Sequence, residues 1–288
     1  MKISEILAQD RPSVSFEVFP PKKDRPLEGT KEIVAEIAAA GPAFMSVTYG
    51  AAGGSTGANT CAIAEHVQRT CGVPVLAHLT CIAATRESIA REVAAFRAAG
   101  VENILCLRGD LPPGTIFPGE SPFAHASDLA KALAGEGFCL GGACYPEGHP
   151  ESAHFADDIA HVREKVDAGL DFLTTQMFFD NNIYFHYLAR LRDAGVTVPV
   201  VAGIMPVTNG SQIARVCELT GTHLPPRFRA IVDRFGDDPA AMLGAGVAYA
   251  TEQIVDLFAN GVNHVHVYTM NKPELARRIM ENLKGIAG

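Results

Sequence analysis

Asn103-Ile104-Leu105-Cys106-Leu107-Arg108-Gly109-Asp110-Leu111-Pro112-Pro113-Gly114 is the stretch around which the rest of the chain is organised. Ile104 to Leu107 is an uninterrupted apolar run, the pattern of a strand buried on both faces in a parallel sheet. The run stops at Arg108-Gly109-Asp110, and Pro112-Pro113 then forbid a helix or a further ladder. A buried strand therefore delivers a cation and an anion, hinged by a glycine, to one rim of a sheet. Ligands of α/β folds bind at the carboxyl ends of the strands.

Outward from this stretch the same unit recurs. Apolar runs at Val14–Phe19, Phe44–Tyr49, Pro74–Leu79, Phe138–Tyr145, Phe172–Met177, Val198–Gly203 and His264–Tyr268 read as the other seven strands. Helical spacing follows each, over 27–40, 59–70, 86–99, 126–134, 151–168, 181–194 and 273–284, with Gly100, Gly169 and Gly195 as stop signals. The segment 209–260 is longer than one crossover needs and predicts two or three helices. Eight strand–helix alternations in 288 residues predict a single catalytic β/α (TIM) barrel domain over 1–288, with extra helices between the seventh and eighth strands. The alternative is a doubly wound open sheet. The first strand lacks a following Gly-x-Gly-x-x-Gly, which favours the barrel.

Composition narrows the function. Hydrophobic residues make up 48% of the chain, ample for a large core. A net charge of -8 argues against a nucleic-acid partner, which needs a basic face, but leaves room for an anionic small molecule. Seven cysteines, an odd number with no Cys-x-x-Cys pair, indicate a reducing, cytoplasmic setting without structural zinc. The start has no long apolar core of a signal peptide, and no run is long enough to span a membrane.

Polar residues gather at the predicted strand ends. These are Glu17, Thr48, Tyr49, His78, Arg108, Asp110, Tyr145, His149, Gln176 and Tyr268. Any one of them has an ordinary structural explanation, but a barrel brings all of them to one mouth. Glu17, inside Phe16–Phe19, is the strongest case. Burial raises a carboxyl pKa, and a carboxyl protonated near neutral pH is a general acid. The competing explanation is an ion pair with Lys22 or Lys23. No metal is expected. His264 and His266 share one face of the eighth strand and form the best metal candidate, yet a structural or solvent-facing role suits them better.

Several stretches, in order, resemble the methylenetetrahydrofolate reductases. They are Ser15-Phe16-Glu17-Val18-Phe19-Pro20-Pro21-Lys22, Ser46-Val47-Thr48-Tyr49-Gly50, His78-Leu79-Thr80-Cys81, Leu107-Arg108-Gly109-Asp110, Tyr145-Pro146-Glu147-Gly148-His149-Pro150 and Gln176-Met177-Phe178-Phe179-Asp180. Gly203-Ile204-Met205-Pro206 and Tyr268-Thr269-Met270-Asn271 continue the likeness, which covers nearly the whole chain and suggests the compact bacterial type, a catalytic barrel only. The resemblance implies a cytoplasmic flavoprotein of one-carbon metabolism and methionine supply. NADH or NADPH reduces FAD, and the flavin then reduces methylenetetrahydrofolate to methyltetrahydrofolate in a ping-pong scheme. No nucleic acid or membrane is involved, and a homo-oligomer is expected.

The resemblance also assigns roles. Glu17 matches the general acid, and Asp110 the carboxylate near flavin and pterin. FAD contacts carry over to Thr48, Tyr49, Ala51, His78, Arg108, Gly109, Asp110, Ala126, Tyr145, His149, Asp158 and Lys165. Substrate contacts carry over to Asp110, Gln176, Gln212 and Lys272. The chain departs from the family pattern in the glycine-rich loop at 50–57, at Glu164 beside Lys165, at Val216, where relatives often carry an aromatic, and at Lys272, usually an arginine. Two other readings of the site are a flavin-independent folate reductase and a non-catalytic folate-binding barrel. An acid buried in a strand speaks against the last.

Overall fold

A computed structural model describes residues 1–21, 26–49, 56–82, 84–110 and 121–287, with the side chains of Thr56 and Gln212 left out. Eight strands close into a parallel barrel in sequence order. They are β1 (Ser13–Val18), β2 (Met45–Val47), β3 (Val75–Thr80), β4 (Asn103–Leu107), β5 (Cys139–Cys144), β6 (Phe172–Thr175), β7 (Val200–Ile204) and β8 (His264–Tyr268). Closure is carried by β1 against β8, in register from Ser13↔His264 to Glu17↔Tyr268. An open sheet lacks that pairing, so the barrel expectation holds and the doubly wound alternative falls.

The outer layer holds α2 (Leu27–Ala38), α3 (Thr56–Glu65), α4 (Arg86–Ala99), α5 (Ala126–Leu133), α6 (Phe155–Asp167), α7 (Asn181–Asp193) and α11 (Pro273–Asn282). Alternation along β1 explains how strand and helix meet. Val14, Phe16 and Val18 face outward and pack with Val34 and Ile37 of α2 in the main core. Ser13, Ser15 and Glu17 face the barrel axis. The helix expected at 59–70 is present, but its last turn, His66–Thr70, widens to π geometry with Cys71 N–H donating to His66 O at 3.0 Å. The helix expected at 151–168 begins only at Phe155, because 149–154 forms the turn that follows β5.

Two features position the mouth. At the opposite end α1 (Ile3–Leu7), which has no counterpart among the expected helices, plugs the barrel floor. Its Ile3, Ile6 and Leu7 pack on Phe44, Leu76, Leu105, Phe172 and Val201. Gly141 makes room there, since a Cβ on it would sit 2.5 Å from the Phe172 ring. Above the mouth, the 209–260 segment is α8 (Gly210–Thr220), α9 (Pro226–Phe235) and α10 (Pro239–Ala259), three helices where the sequence predicts two or three. Asn209 and Asp238 cap α8 and α10 by accepting from Ser211 N–H and from Ala240 and Ala241 N–H. The insertion has a small core of its own, in which Ile213, Phe228 and Met242 pack on Met177, Phe179 and Val207 from the loops after β6 and β7. Among the described residues no helix is long and apolar enough to cross a membrane, and all seven cysteines are free thiols.

Candidate active site

The carboxyl ends of the strands enclose a cavity of about 400 Å³. Glu17, Thr48, His78, Tyr145, Gln176 and Tyr268 line it, with Met177, Met205, Val216 and Met270 as an apolar wall. A second cleft of about 700 Å³ opens beside it between α5 and α6. It is lined by Arg108, Ala126, Tyr145, His149, Asp158 and Lys165, among others. The two share Leu107, Ala143 and Tyr145, so one continuous groove runs from the mouth over the barrel edge.

Glu17 sits at the bottom of the mouth cavity. Its side chain keeps 21% of its surface accessible, and that surface opens into the cavity. Burial raises its carboxyl from 4.5 to about 7. Strand register places Ser46 directly beside it on β2 and Tyr268 on the other side on β8. His78 Nε2 lies 3.7 Å from Glu17 Oε2. Burial pushes the His78 imidazole down to about 3, so at neutral pH it is an uncharged neighbour, not an ion-pair partner. His78 Nε2 is also buried without a hydrogen-bond partner. The Tyr268 hydroxyl donates to Thr175 O at 2.6 Å. Gly203 permits that approach, because a Cβ there would come 2.3 Å from Thr175 O and 2.6 Å from the Tyr268 hydroxyl. The suggested partners Lys22 and Lys23 lie outside the described residues.

The second cleft has a cationic wall in an otherwise acidic surround. Lys165 donates to Ala143 O at 2.6 Å, and burial lowers its pKa. Asp158 is buried, its pKa raised by desolvation, and its Oδ2 has no hydrogen-bond partner. His149 packs edge-on to Tyr145 at 4.6 Å and accepts from Glu151 N–H. Arg108 reaches across to Glu151 in a two-pronged pair at 2.5 and 2.8 Å. Sequence reading missed Glu151, whose only signal was an acid six residues after a strand end. His161, Asp157 and Glu164 also line the cleft.

Other expected residues stand apart from the groove. Tyr49 turns toward Glu92 on α4, and burial, with that carboxylate adding to it, raises its pKa. Asp110 is exposed and lines neither cavity, although its charge acts on Arg108 and Tyr145. Gly109 takes φ +92° in the turn that carries Asp110. Lys272 bonds the Thr208 hydroxyl. Ala51, the rest of the 50–55 loop and the Gln212 side chain lie outside the described residues.

Of the two roles expected for His264 and His266, the structural one holds, and neither faces solvent in the open. His264 Nε2 donates to Leu7 O at 3.0 Å, and its Nδ1 accepts from Ser13 Oγ at 2.8 Å. His266, 2% exposed, lies inside the barrel between Ser15 Oγ at 2.7 Å and Ser46 Oγ at 2.9 Å. Two-residue alternation correctly put both on one face. It could not say that the serines of β1 and β2 stand opposite them. Among the described residues no group of three His, Cys, Asp or Glu side chains is arranged to hold a metal ion.

A closed β/α barrel with an acid at the bottom of its mouth and a long groove leading away has the architecture of the barrel enzymes, which bind their ligands at this face. The chain belongs to the methylenetetrahydrofolate reductase family, whose model matches residues 2–284. It is 34% identical to "Methylenetetrahydrofolate reductase (NADH) 1" of Zea mays, over 98% of this chain and 50% of that protein. It is also 34% identical to the 5,10-methylenetetrahydrofolate reductase of Pectobacterium carotovorum subsp. carotovorum, over 96% of this chain and 91% of that one. The chain thus spans about half the length of the plant relative and most of the bacterial one. A similar fold is found in a Clostridium thermocellum protein described as binding two copies of 5-methyl-5,6,7,8-tetrahydrofolic acid, with a TM-score of 0.68 and 13% identity over 99% of this chain and 100% of that one.

Proposed function

We propose that the protein reduces the one-carbon bridge of methylenetetrahydrofolate to a methyl group, with hydride supplied by NADH or NADPH through FAD. The observation that carries this reading is Glu17, a carboxyl raised to about 7 at the bottom of the mouth cavity of a chain in this family. The methylene bridge must open to an iminium before it accepts hydride. Opening requires a proton on the departing nitrogen, and a carboxyl still protonated near neutral pH can give it. Gln176 and the apolar wall of Met177, Met205 and Val216 suit a flat, hydrogen-bonding pterin. Val216 provides packing there but no aromatic face.

The groove fits FAD in shape and in part of its chemistry. The buried Asp158 Oδ2 without a partner suits a sugar hydroxyl donor. Lys165, Arg108 and His149 suit a pyrophosphate. Glu151, Asp157 and Glu164 oppose it, so Arg108 must leave Glu151 or share with it when an anion enters. FAD held there by Arg108, His149, Asp158 and Lys165 would supply a two-electron carrier between the nicotinamide and the folate. The protein's own part would be to hold that carrier in the groove that joins the Glu17 cavity, to exclude water with the insertion helices, and to protonate the substrate nitrogen. Asp110, exposed and lining neither cavity, contributes only a longer-range negative charge that favours the iminium. A cytoplasmic location and a homo-oligomer accompany this reading through the family resemblance.

Purified protein tests it. The reading expects a bound flavin spectrum, bleaching of that spectrum by NADH or NADPH without oxygen, and recovery of colour on adding methylenetetrahydrofolate. A colourless protein that oxidises reduced nicotinamide only when folate is present, with no gain from added FAD, supports the flavin-independent alternative instead.

A further inference from the structure

The turn after β8 is tied to the end of β1, the strand that carries Glu17. The β1–β8 ladder stops at Glu17↔Tyr268, and Pro20-Pro21 then bring no N–H that could extend it. A strand end in that position frays unless other groups bond its main chain. Thr269 and Asn271 do so. The Thr269 hydroxyl donates to Glu17 O at 2.6 Å. The Asn271 carboxamide takes both main-chain groups of Phe19: its Oδ1 accepts from Phe19 N–H at 3.0 Å, and its Nδ2 donates to Phe19 O at 2.9 Å. Asn271 N–H in turn donates to Thr269 Oγ1 at 3.2 Å. On the other edge of β1, Thr48 N–H donates to Val18 O at 3.0 Å. Glu17 therefore sits within a strand end whose main chain is held on both sides.

The turn makes these bonds in a conformation that side chains disfavour. Met270 and Asn271 both take φ 52°, two left-handed residues in succession, and neither is a glycine. Such strain persists where the surroundings over-determine it, and it gathers at functional sites. Here the left-handed pair turns Met270 into the wall of the mouth cavity. It also brings the Asn271 carboxamide back onto Phe19 and sets Lys272, the N-cap of α11, against Thr208. Glycine would hold the same φ at residue 271 at lower cost. What asparagine adds there is the two-point bond to Phe19. The Glu17 carboxyl keeps 21% of its surface accessible at the mouth, and burial is what raises its pKa. Its depth among Ser46, His78 and Tyr268 is therefore the property that a loosened β1 end would change.

We propose that Asn271 is a positioning residue: by bonding both main-chain groups of Phe19 it fixes the end of β1, and with it the depth at which the Glu17 carboxyl sits in the mouth. The proposal rests on the reading of Glu17 as the acid, but the position of the carboxyl can be measured without turnover. Asn271→Gly removes the side chain and the strain together. Asn271→Ala removes the side chain and keeps the strain, so it should melt lower than the glycine variant. In full-length protein labelled with ¹³C-glutamate, NMR follows the Glu17 titration, assigned by Glu17→Gln. His78 and Tyr268, the titratable groups facing Glu17, are unchanged in either variant. The Glu17 midpoint should fall from about 7 toward 4.5 in both variants, whichever melts lower. In stopped flow at saturating folate, reoxidation by methylenetetrahydrofolate should slow on the order of 10- to 100-fold in both, the scale of a misplacement of about 1 Å. Flavin reduction should stay within a few-fold of wild type. Adding Asn271→Gly to Glu17→Gln should cost little further, because the residue acts through the acid. An Asn271→Gly protein with wild-type midpoint and reoxidation overturns the proposal, as does an equal further loss in the Glu17→Gln background. If the midpoint falls but Glu17→Gln alone reduces folate at the wild-type rate, the acid assignment fails while the clamp stands.

Discussion

Replacing Glu17 with glutamine should make the protein more stable, and more so as the pH rises. The carboxyl moves from 4.5 when unfolded to about 7 in the fold, because the barrel mouth desolvates it. Between those values the folded chain keeps a proton that the unfolded chain has released. Folding therefore takes up a proton, and raising the pH through this window costs stability, with no further loss above pH 7. At about 1.4 kcal/mol for each pH unit of separation, the full cost is about 3 kcal/mol. The glutamine of the variant carries no such cost and fills the same volume. His78 and His266, both held at about 3 by burial, lose stability in the opposite direction as the pH falls below 6.5, and they do so in both proteins. The test is urea denaturation of both proteins from pH 4.5 to 8. The stability gap between them should widen by about 3 kcal/mol in favour of the variant and level off above pH 7. A gap that stays constant across the range would mean that Glu17 titrates normally, and the argument from desolvation would be refuted.

Three further outcomes follow from the same geometry. Because His78 and His266 are buried neutral, the stability of Glu17→Gln, which lacks the opposing Glu17 proton, should fall between pH 6.5 and 5 with a slope approaching two protons; a flat urea-midpoint profile there contradicts their burial. Gly203→Ala should destabilise the fold by roughly 1–3 kcal/mol, as overpacking does, since its Cβ meets Thr175 O and the Tyr268 hydroxyl; a melt within half a degree of wild type would show that the strand can shift at little cost. Lys165→Ala should weaken FAD binding by about 1.5–3 kcal/mol, or roughly 10- to 100-fold in Kd, if a charged hydrogen bond to phosphate is lost; titration of stripped protein by flavin fluorescence measures it, and an unchanged Kd removes Lys165 from the site.

The barrel was legible because its signal is repeated. Ile104–Leu107 alone is ambiguous, but eight such runs with helical spacing between them leave few topologies, and the gap at 209–260 announced the insertion. The short floor helix α1 escaped notice, since Ile3, Ile6 and Leu7 give barely one turn of periodicity and owe their helix to packing on Phe44 and Phe172. Within the site, Glu17 and His78 were readable as polar residues in apolar strands. Their relation was not, because a contact between β1 and β3 depends on barrel closure and register. Ser15 and Ser46 carry no signal at all as single residues. They matter only because β1 and β2 set them either side of His266. Tyr49 shows the converse. It ends a strand as the mouth residues do, yet its hydroxyl turns outward to Glu92, a choice no local pattern encodes.

The central claim is that Glu17 gives the proton that lets the folate accept hydride. Stopped-flow measurement of the two half-reactions in Glu17→Gln tests it most directly. Flavin reduction by NADH or NADPH needs no proton from this side chain and should stay within a few-fold of wild type. Reoxidation of the reduced protein by methylenetetrahydrofolate should slow on the order of 100-fold or more, the usual scale for a lost general acid. Reoxidation at near the wild-type rate would place the acid elsewhere in the mouth and contradict the account.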